Sequence, residues 1–372
     1  MTAVLASVAS PIPADGVAVL VEAIVGDADM PRRRAIAKAI TLLESTRPDH
    51  RVQAEALLAA LLPHAGHAFR LGLSGVPGVG KSTLIEALGL HLITLGHRVA
   101  VLTIDPSSAV SGGSILGDKT RMEHLSVHAH AYIRPSPSSG NLGGVAEKTR
   151  ESVLVLEAAG YDVVIVETVG VGQSEVAVAG MTDMFVLMQL PNAGDELQAI
   201  KKGVMELADL VLINKADLDP DAATRAQAQI TSSLRLIGQH GNPAHAQHDV
   251  AQWTPRVLQL SALSGQGVQA LWDAAREFRT RQSALGRWDG RRRRQALSWM
   301  WERIESGLRR AFRDDQGVRQ RLAQISAEVA QGRLVASAAA RELLELFGHD
   351  RLLAAVAPPT DPPPVSDAAG QP

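Results

Sequence analysis

A short segment in the first quarter of the chain restricts the possible folds more than any other feature. Residues 75–82 read GVPGVGKS and match the phosphate-binding pattern GxxxxGKS. The preceding residues, AFRLGLSG (68–75), form a strand-like run that ends in glycine, and a helical pattern follows from Lys81 to about Leu95. This order places backbone N–H groups and a helix N-terminus around one anion. The segment therefore predicts an α/β domain that binds a nucleotide.

The residues of this loop have different expected roles. Lys81 is expected to reach the β- and γ-phosphate oxygens, and the hydroxyl of Ser82 is expected to ligate Mg²⁺. The other predicted phosphate contacts come from the loop backbone and the start of the helix, at Gly75, Val76, Pro77, Gly78, Val79, Gly80 and Thr83.

Five further apolar runs have the length and composition of buried strands. Helical patterns such as residues 196–207 and 267–280 separate them. The runs are RVAVLTID (98–105), YDVVIVET (161–168), MFVLMQL (184–190), ADLVLIN (208–214) and RVLQLSA (256–262). Strands and helices that alternate in this way are typical of doubly wound α/β domains with a mostly parallel sheet. We therefore predict such a domain over residues 65–284.

Helical patterns continue on both sides of this domain. Ile36, Ile40 and Leu43 recur at helical spacing, which predicts an N-terminal helical extension over residues 1–64. Arg-rich helical patterns predict a second helical region over residues 285–350. The proline-rich remainder, residues 351–372, is predicted to be disordered.

The connection over residues 105–150 is rich in Gly, Ser and Pro, and a loop of that length in a compact domain is usually functional. Its alternating piece SVHAHAYI (126–133) predicts an added strand. Asp105 ends the second predicted strand, so its carboxylate can approach Mg²⁺ at the carboxyl edge of the sheet; the alternative is a turn or helix cap. Asp118 is a second metal candidate, and the alternative is a solvated loop acid.

Composition excludes several classes of function. The chain has no cysteine, which excludes disulfides, thiolate nucleophiles, zinc fingers and iron–sulfur ligation. Lys plus Arg is 37 and Asp plus Glu is 39, so no global field attracts nucleic acid or anionic lipid. No apolar run reaches the roughly 18 residues of a membrane span. The N-terminal MTAVLASVASPIP lacks a positive region and is cut by Pro11 and Pro13, unlike a signal peptide. A cytoplasmic protein without nucleic-acid or membrane partners is expected.

The segment NKAD, residues 214–217, predicts which base is bound. It follows the ADLVLIN strand, where the carboxylate of Asp217 can accept hydrogen bonds from guanine N1 and N2, a donor pair that adenine lacks. Asn214 and Lys215 are expected to complete this part of the site, although Asn214 alternatively caps a turn. Ser261, Ala262 and Leu263 follow the next strand and provide the third element of a GTPase order. GTP and GDP are therefore the expected ligands.

The segment ETVGVGQSE, residues 167–175, bears on hydrolysis. A Ras-like GTPase has DxxG here, followed at once by a glutamine that positions water. In this chain Glu167 replaces the aspartate and Val171 follows Gly170, which leaves Gln173 as a displaced candidate. Slow intrinsic hydrolysis is expected.

Two other clusters permit more than one interpretation. His124, His128 and His130 suggest a transition-metal site, but no Cys or carboxylate accompanies them at ligand spacing. The run from Arg291 to Arg294 could bind nucleic acid. The spacing also allows an apolar helix face that includes Leu297, Trp301, Ile304 and Leu308, with the arginines solvated or paired across a subunit contact, and we favour this interpretation.

Taken together, six motifs resemble the MeaB/ArgK-type GTPases, which are chaperones of adenosylcobalamin-dependent acyl-CoA mutases in the metal- and cofactor-chaperone branch of P-loop GTPases. These motifs are GVPGVGKST, DPSS, RPSPSSGNLGG (134–144), ETVGVGQSE, LPNAGDELQAIKKG (190–203) and NKAD. The resemblance implies a homodimer with helical extensions and Mg²⁺-dependent GTP hydrolysis. It also implies a role in gating cofactor loading and in protecting or reactivating the mutase.

By this resemblance, Lys81, Ser82, Asp105, Asp118 and Glu167 form the phosphate and Mg²⁺ site. Catalysis is then assigned to Lys81, Glu167 and Gln173. Residues around 190–202 are implied to form a nucleotide-responsive switch that includes Asp195, Lys201 and Lys202. For the two lysines, an ordinary exposed helix face is the alternative.

Two other functions stay open at this point. A nickel-delivering maturation GTPase of the same branch would want cysteines or a His-rich tract, and the chain has neither. A P-loop kinase that acts on a small molecule would not need NKAD. Which acyl-CoA mutase is served is not readable from the sequence.

Overall fold

The computed structural model describes residues 14–104, 122–136, 142–168, 174–192, 202–239 and 253–356. Contacts between residues divide the chain into two compact units, residues 1–292 and residues 293–372. The helices before the sheet, expected to form an extension, belong to the first unit.

Among the described residues, the sheet of the first unit has seven strands. They are β1 (Phe69–Gly75), β2 (Val99–Ile104), β3 (Ala131–Ser136), β4 (Val163–Thr168), β5 (Met184–Gln189), β6 (Leu210–Ile213) and β7 (Arg256–Gln259). Their order is β3-β2-β4-β1-β5-β6-β7, and every neighbouring pair is parallel. This order, with β1 between β4 and β5, confirms the predicted doubly wound α/β fold.

The described helices are numbered in the same way along the chain. They are α1 (Ala14–Val25), α2 (Asp29–Glu44), α3 (Pro48–Leu61), α4 (Lys81–Thr94), α5 (Glu123–Val127), α6 (Leu142–Ala158), α7 (Ser174–Ala179), α8 (Lys202–Met205), α9 (Pro220–Gln239), α10 (Val268–Ala284), α11 (Arg287–Asp314), α12 (Gln316–Ala330) and α13 (Ala336–Val356). None of the helices in the described part of the chain is long and apolar enough to cross a membrane.

Successive side chains of each strand point to opposite faces of the sheet, which divides the core into two layers. On one face, residues such as Leu73 and Ile165 pack with α4 and α10. On the other face, residues such as Val166 and Phe185 pack with α1, α2, α3, α6 and α9. Because all strands are parallel, their carboxyl ends lie at one edge, where α/β proteins place their ligands.

Helix α2 joins the N-terminal helices to this core. Ile36, Ile40 and Leu43, which share one helical face, are all 0% exposed. Arg32 of the same helix is also buried, and its Nη1 donates to the carbonyl oxygen of Ala159 at 3.2 Å, just after α6. The helical spacing therefore marks a true buried face.

The strand predicted over residues 126–133 is partly wrong. The segment starts with helix α5, and β3 begins only at Ala131, which pairs with Val99 of β2. The carboxylate of Glu86 accepts hydrogen bonds from the backbone N–H groups of His124 and Leu125, so it caps α5 at its N-terminus. A cap that comes from 38 residues away in sequence overrides the alternating pattern.

The amino-terminal edge of the sheet carries a buried ionic cluster. Asp183 and Asp209, which precede β5 and β6, are each 1% exposed. Arg292 donates to both carboxylate oxygens of Asp183 at 2.7 and 2.6 Å, and Arg291 contacts Asp209 at 3.3 Å. Arg291 and Arg292 therefore form ion pairs within the first unit. Neither sequence interpretation, nucleic-acid binding or arginines that are solvated or paired across a subunit contact, predicted these pairs.

A second ion pair, between the half-buried Arg70 and the buried Glu157, lies beside this cluster. The Nε and Nη2 of Arg70 donate to the two carboxylate oxygens of Glu157 at 2.7 and 2.8 Å. Burial acts to lower the pKa of Arg70, but the hydrogen bonds and charge of Glu157 outweigh burial and raise it. The pair with Glu157 therefore favours the charged form of Arg70.

The second unit is helical over its described residues. Val318, Ile325, Ala339 and Leu343 form its small core between α12 and α13. The carboxylate of Asp315 accepts from the backbone N–H of Val318 at 3.1 Å and caps α12. On α11, an apolar stripe stays exposed in this chain, with 57% exposure at Leu297 and 59% at Trp301; its other members are Met300, Ile304 and Leu308.

Candidate functional site

The glycine-rich loop lies between β1 and α4 at the carboxyl edge of the sheet, as expected. Gly78 and Gly80 adopt left-handed backbone conformations, with φ of 79° and 95°. A side chain at Gly80 would also meet Asn214, since a Cβ there would lie 2.5 Å from Nδ2. Glycine is therefore required at this position both by the backbone and by the close approach of a second loop.

Lys81 begins α4 and points back under the loop. Its Nζ donates to the carbonyl oxygens of Gly75 at 2.7 Å and Val76 at 3.2 Å, and the residue is only 8% exposed. The ammonium group is thus held at the helix N-terminus, where an anion binds most favourably. Ser82 follows in the first turn of α4, half-buried.

Asn214 connects three loops of the site. Its Nδ2 donates to the carbonyl oxygen of Val79 at 2.7 Å, and its Oδ1 accepts from the backbone N–H of Ala262 at 3.0 Å. The side chain is therefore neither a plain turn cap nor a free base contact. It fixes the phosphate loop against the loop that follows β7.

Lys215 and Asp217 lie on the outer side of this junction. Lys215 has a left-handed backbone, with φ of 59°, and its Nζ donates to the carbonyl oxygen of Gly78 at 3.0 Å. The lysine stem thereby runs along the loop. Asp217 is exposed, and within the described part of the chain no hydrogen bond or ion pair engages its carboxylate. A carboxylate in this state can accept from a guanine base.

Ser261, Ala262 and Leu263 surround the same junction. Ser261 and Ala262 are buried, and the N–H of Ser261 donates to the carbonyl oxygen of Gln266 at 2.9 Å. Leu263 is 87% exposed. It follows β7, which neighbours β6 in the sheet, and the exposed Asp217 follows β6. The segment therefore offers one apolar side chain to a ligand and uses its other two residues in the framework.

Glu167 lies near the carboxyl end of β4, at the edge of the sheet where a metal ion bound to Ser82 would lie. It is 3% exposed, and its strand neighbours in register are Leu73 and Thr103. The alternation of β4 puts it on the α4 face of the sheet, together with Ile165. Of the predicted metal and catalytic residues, the structure brings Lys81, Ser82 and Glu167 to the same end of this face.

These groups fit Mg²⁺. Mg²⁺ prefers hard oxygen ligands and is usually held by one or two protein oxygens together with phosphate and water. The carboxylate of Glu167, the hydroxyl of Ser82 and the buried hydroxyl of Thr103 are such oxygens; no described residue hydrogen-bonds the Thr103 hydroxyl. In the ranges that the structure describes, no group of three or more His, Cys, Asp or Glu residues could hold a metal.

Several predicted site residues lie outside the described residues. They are Asp105, Asp118, Gln173, Asp195 and Lys201. Lys202 begins α8, but its side chain is likewise outside what the structure describes. Their predicted roles stay predictions.

His128 and His130 do not form a shared strand face. His128 precedes β3, and its Nδ1 accepts from the backbone N–H of His130 at 3.1 Å, with ring centroids 5.7 Å apart. This local turn explains the two histidines without a metal.

Gln189 was missed by the sequence reasoning. It ends β5, is 1% exposed, and lies on the sheet face opposite α4, the face of Leu187 and Ile213. Neither atom of its side-chain amide has a hydrogen-bond partner among the described residues. Nothing in the run MFVLMQL distinguishes such a residue from an ordinary strand end, so only the three-dimensional structure identifies it.

Replacing Gln189 with methionine is expected to raise the free energy of unfolding of the nucleotide-free protein by about 1 kcal/mol. A buried amide without partners costs roughly 1–3 kcal/mol, and methionine fills a similar volume without polar atoms. Gln227→Met is the matched control. Because Gln227 donates to the carbonyl oxygen of Val257 at 2.8 Å and accepts from Gln259 at 2.7 Å, the same change should destabilise there. Urea unfolding that gives the same sign for both variants would contradict this account.

A phosphate loop at the carboxyl edge of a parallel sheet, with NKAD at the end of a nearby strand, defines a P-loop GTPase. The comparisons agree. A family model described as "Methylmalonyl Co-A mutase-associated GTPase MeaB" matches residues 36–316. The chain belongs to the MeaB family of GTPases, and like the family it hydrolyses GTP.

Relatives and a solved structure support the same assignment. A probable GTPase of Mycobacterium tuberculosis is 52% identical over 315 residues, which cover 84% of this chain and 91% of the relative. The mitochondrial methylmalonic aciduria type A homolog of Mus musculus is 45% identical over 327 residues, which cover 85% and 77%. The crystal structure of a LAO/AO transport system kinase is 35% identical, with a TM-score of 0.70, and covers 91% of this chain and 100% of that one.

Guanine recognition gives a direct prediction. Asp217→Ala is expected to weaken GTP binding about tenfold or more, because a charge-assisted hydrogen bond contributes roughly 1.5–3 kcal/mol. Weak ATP binding should not change, since adenine offers no matching donor pair. Asp221→Ala, which removes an exposed acid of α9, serves as the control. Titration with labelled nucleotides measures both constants, and ATP that competes equally with GTP in the unaltered protein would refute the guanine assignment.

Proposed function

We propose that this GTPase is the chaperone of an adenosylcobalamin-dependent acyl-CoA mutase. In this role it gates the loading of the cofactor and protects or reactivates the mutase. One observation carries the proposal: the family model that names a methylmalonyl-CoA mutase partner covers residues 36–316, which include the complete described site. The mouse relative, named for methylmalonic aciduria, is consistent with it.

The chemistry of the site supports a GTP-driven cycle. Hydrolysis joins a water oxygen to the γ-phosphorus and breaks the bond to the β-γ bridging oxygen, so negative charge accumulates on the phosphate oxygens. Lys81 would compensate that charge, since its Nζ is already held at the loop by Gly75 and Val76. Mg²⁺, held by Ser82 and Glu167 with Asp105 and Asp118, would supply further charge compensation. Asp217 would hold the guanine base.

Slow turnover of the isolated protein is part of the proposal. No glutamine follows Gly170 directly, and the displaced Gln173 lies outside the described residues. We therefore expect a basal rate well below about 1 s⁻¹, in the range of unassisted small GTPases, and acceleration by the partner. A single-turnover measurement without partner that exceeds this rate would contradict the expectation.

The segment after β5 is proposed as the nucleotide-responsive switch. It follows the end of a strand beside β1, and it leads into α8, whose Val204 and Met205 pack in the layer that contains Ile213. Along the chain, α8 is followed by β6 and then by NKAD, so the proposed switch segment precedes the guanine-binding segment directly in the order of elements. The alternative for the lysines, an exposed helix face, predicts no effect on partner binding.

We also propose that the protein forms a homodimer through α11. Leu297, Trp301 and Leu308 are spaced at four and seven residues, are more than half exposed, and form one helical stripe. A second copy of the same stripe buries it symmetrically, as a two-fold interface requires. Trp301→Asp should convert the dimer to a monomer in size-exclusion chromatography with light scattering. Arg310→Asp, on the opposite side of α11, should not; a monomeric unaltered protein would reject the proposal.

Small-molecule kinase activity is the second candidate, because the solved structure to which this chain is similar is described as a LAO/AO transport system kinase. A kinase needs no guanine selectivity, whereas this site keeps Asp217 exposed and without a partner among the described residues. A phosphorylated small-molecule product formed with GTP or ATP as the phosphate donor would favour the kinase. A nickel-delivery role would need soft or imidazole ligands, and the chain has no cysteine.

The same lack of cysteine fits the reducing cytoplasm, where we place the protein.

Cofactor loading tests the proposal. Purified methylmalonyl-CoA mutase from the same genome is mixed with adenosylcobalamin and this protein, and holoenzyme formation is followed by absorbance. We expect loading to proceed with GTP and to be held back by a non-hydrolysable GTP analogue or by Lys81→Ala. Loading that is identical with and without the protein, in every nucleotide state, would refute the role while leaving the GTPase assignment intact.

A further inference from the structure

Thr103 is a polar residue in an otherwise apolar strand. Strand β2 reads VAVLTI, and all six of its residues are buried. Thr103 is 1% exposed, and no described residue hydrogen-bonds its hydroxyl group. A buried hydroxyl group without a partner destabilises a fold, and valine has the same shape without that cost. Packing within the sheet therefore does not account for this hydroxyl group.

The other buried threonines that the structure describes all have partners. Thr149 and Thr182 each donate to the carbonyl oxygen four residues earlier, at 2.8 Å. Thr168 donates to the hydroxyl group of Ser74 at 2.9 Å. Thr103 lies instead in a strand that pairs with β3 on one side and β4 on the other, so the backbone around it is engaged in the sheet. Its hydroxyl group is therefore one that a bound ligand can satisfy.

The sheet places Thr103 beside Glu167. Because successive side chains of a strand alternate, Thr103 points to the α4 face, as Val101 does. It is in register with Glu167 of β4, which points to the same face. Neighbouring strands are about 4.8 Å apart. The hydroxyl group of Thr103 and the side chain of Glu167 are therefore adjacent on the face that carries the phosphate loop and α4.

The level of Thr103 along the strands is close to the phosphate loop. Glu167 is also in register with Leu73, two residues before Gly75, whose carbonyl oxygen accepts from Lys81. Two residues of a strand span about 7 Å. This length exceeds a single hydrogen bond of about 2.8 Å. A contact between Thr103 and an ion at the loop therefore goes through an intermediate group.

A water molecule is the intermediate group that the chemistry favours. In threonine the oxygen is bonded to Cβ, whereas the carboxylate of glutamate lies two carbon atoms further from the strand, so Glu167 reaches an ion that Thr103 does not ligate directly. Mg²⁺ usually keeps several of its water ligands. Side chains that hydrogen-bond the ligands of a metal typically change its affinity by about 10–100-fold. A hydroxyl group next to Glu167 is suited to this role.

We propose that the hydroxyl group of Thr103 holds a water ligand of the Mg²⁺ ion beside Glu167, which makes Thr103 a positioning residue of the metal site. The inference rests on the Mg²⁺ site proposed above, in which Ser82 and Glu167 are ligands. It explains why a buried strand keeps a hydroxyl group that has no partner among the described residues.

Metal affinity tests the proposal without hydrolysis. Magnesium chloride is titrated into the full-length protein in complex with a fluorescent GDP analogue, and the dissociation constant for Mg²⁺ is measured from the change in fluorescence. Thr103→Val should raise that constant about tenfold or more, because the variant keeps the shape and loses the hydroxyl group. Thr103→Ser, which retains the hydroxyl group, should stay within about threefold of the unaltered protein.

Thermal unfolding separates this role from a structural one. Without nucleotide and Mg²⁺, Thr103→Val should melt at the same temperature as the unaltered protein or higher, since it removes a buried hydroxyl group that has no partner. Thr182→Val is the matched control, because Thr182 is 0% exposed and donates to the carbonyl oxygen of Val178 at 2.8 Å. It should melt lower, and its Mg²⁺ affinity should stay within about twofold.

Three outcomes overturn the inference. Mg²⁺ affinity of Thr103→Val within about twofold of the unaltered protein would remove Thr103 from the metal site. Equal losses in Thr103→Val and Thr103→Ser would assign the effect to packing rather than to the hydroxyl group. Nucleotide binding by the unaltered protein that does not respond to Mg²⁺ would reject the proposed metal site itself, and the inference with it. The first two results leave that site intact, so the two failures are distinguishable.

Discussion

Replacing Lys81 with alanine is expected to reduce GTP hydrolysis by at least about 100-fold. Loss of one charged donor that acts on the transition state typically costs 10²–10³-fold in rate, and Lys81 is the cation held at the phosphate loop by the carbonyl groups of Gly75 and Val76. The loop also loses its internal donor, because these two carbonyl groups share the same ammonium. Single-turnover hydrolysis at saturating GTP measures the effect.

Two further variants make this prediction specific. Lys81→Arg should fail almost as severely, because a planar guanidinium cannot place one compact charge in a site that is only 8% exposed. Lys38→Ala, which changes an exposed lysine of α2, should keep the full rate. Circular dichroism controls for folding. A Lys81→Ala protein that hydrolyses GTP within about threefold of the unaltered rate would exclude Lys81 from catalysis.

Arg292→Ala is expected to lower the free energy of unfolding by about 3–5 kcal/mol, the usual cost of leaving a buried charge without its partner. Arg292 forms a bidentate pair with Asp183, which is 1% exposed and also accepts from the backbone N–H of Arg70 at 2.8 Å. Arg292 additionally donates to the carbonyl oxygens of Gly66 and Ala68. The alanine variant therefore leaves one carboxylate and two carbonyl groups poorly compensated. Urea unfolding followed by fluorescence measures the loss.

The same cationic run supplies the control. Arg294 is exposed, and Arg294→Ala should change stability by no more than about 0.5 kcal/mol. Adding Asp183→Ala to Arg292→Ala should cost less than the sum of the single changes, because the two residues interact directly. Equal stability of Arg292→Ala and Arg294→Ala would show that the buried pair contributes nothing.

The strands could be predicted because their signal is local. Short apolar runs bounded by glycine and turn residues predicted β1, β2, β4, β5 and β6 within two residues at each end, since buried parallel strands need continuous apolar sequence on both faces. The run over residues 256–262 extends three residues past the end of β7, and the strand predicted over residues 126–133 was displaced. The phosphate loop could be predicted equally well, because its glycines and lysine lie close together in the sequence. Helix α5 was not, since its cap comes from Glu86, far along the sequence.

The side-chain contacts between loops were the part of the site that could not be predicted from the sequence. Asn214 reaches Val79 across 135 residues, and nothing in NKAD indicates that its amide holds the phosphate loop rather than the base alone. The pairing of Arg292 with Asp183 spans 109 residues and is invisible in a run of four arginines. Such contacts depend on the order of strands in the sheet, which local patterns do not determine.

Isothermal titration calorimetry of methylmalonyl-CoA mutase from the same genome, with this protein loaded in turn with a GTP analogue and with GDP, tests the central claim most directly. The claim is that nucleotide state and mutase binding are linked, and linkage requires the mutase to tighten the preferred nucleotide by the same factor. We expect dissociation constants that differ at least fivefold between the two states at one salt concentration. Lys202→Ala should shrink that difference while GTP affinity stays within about twofold. Equal mutase affinity for the two states, or no binding in either, would contradict the account.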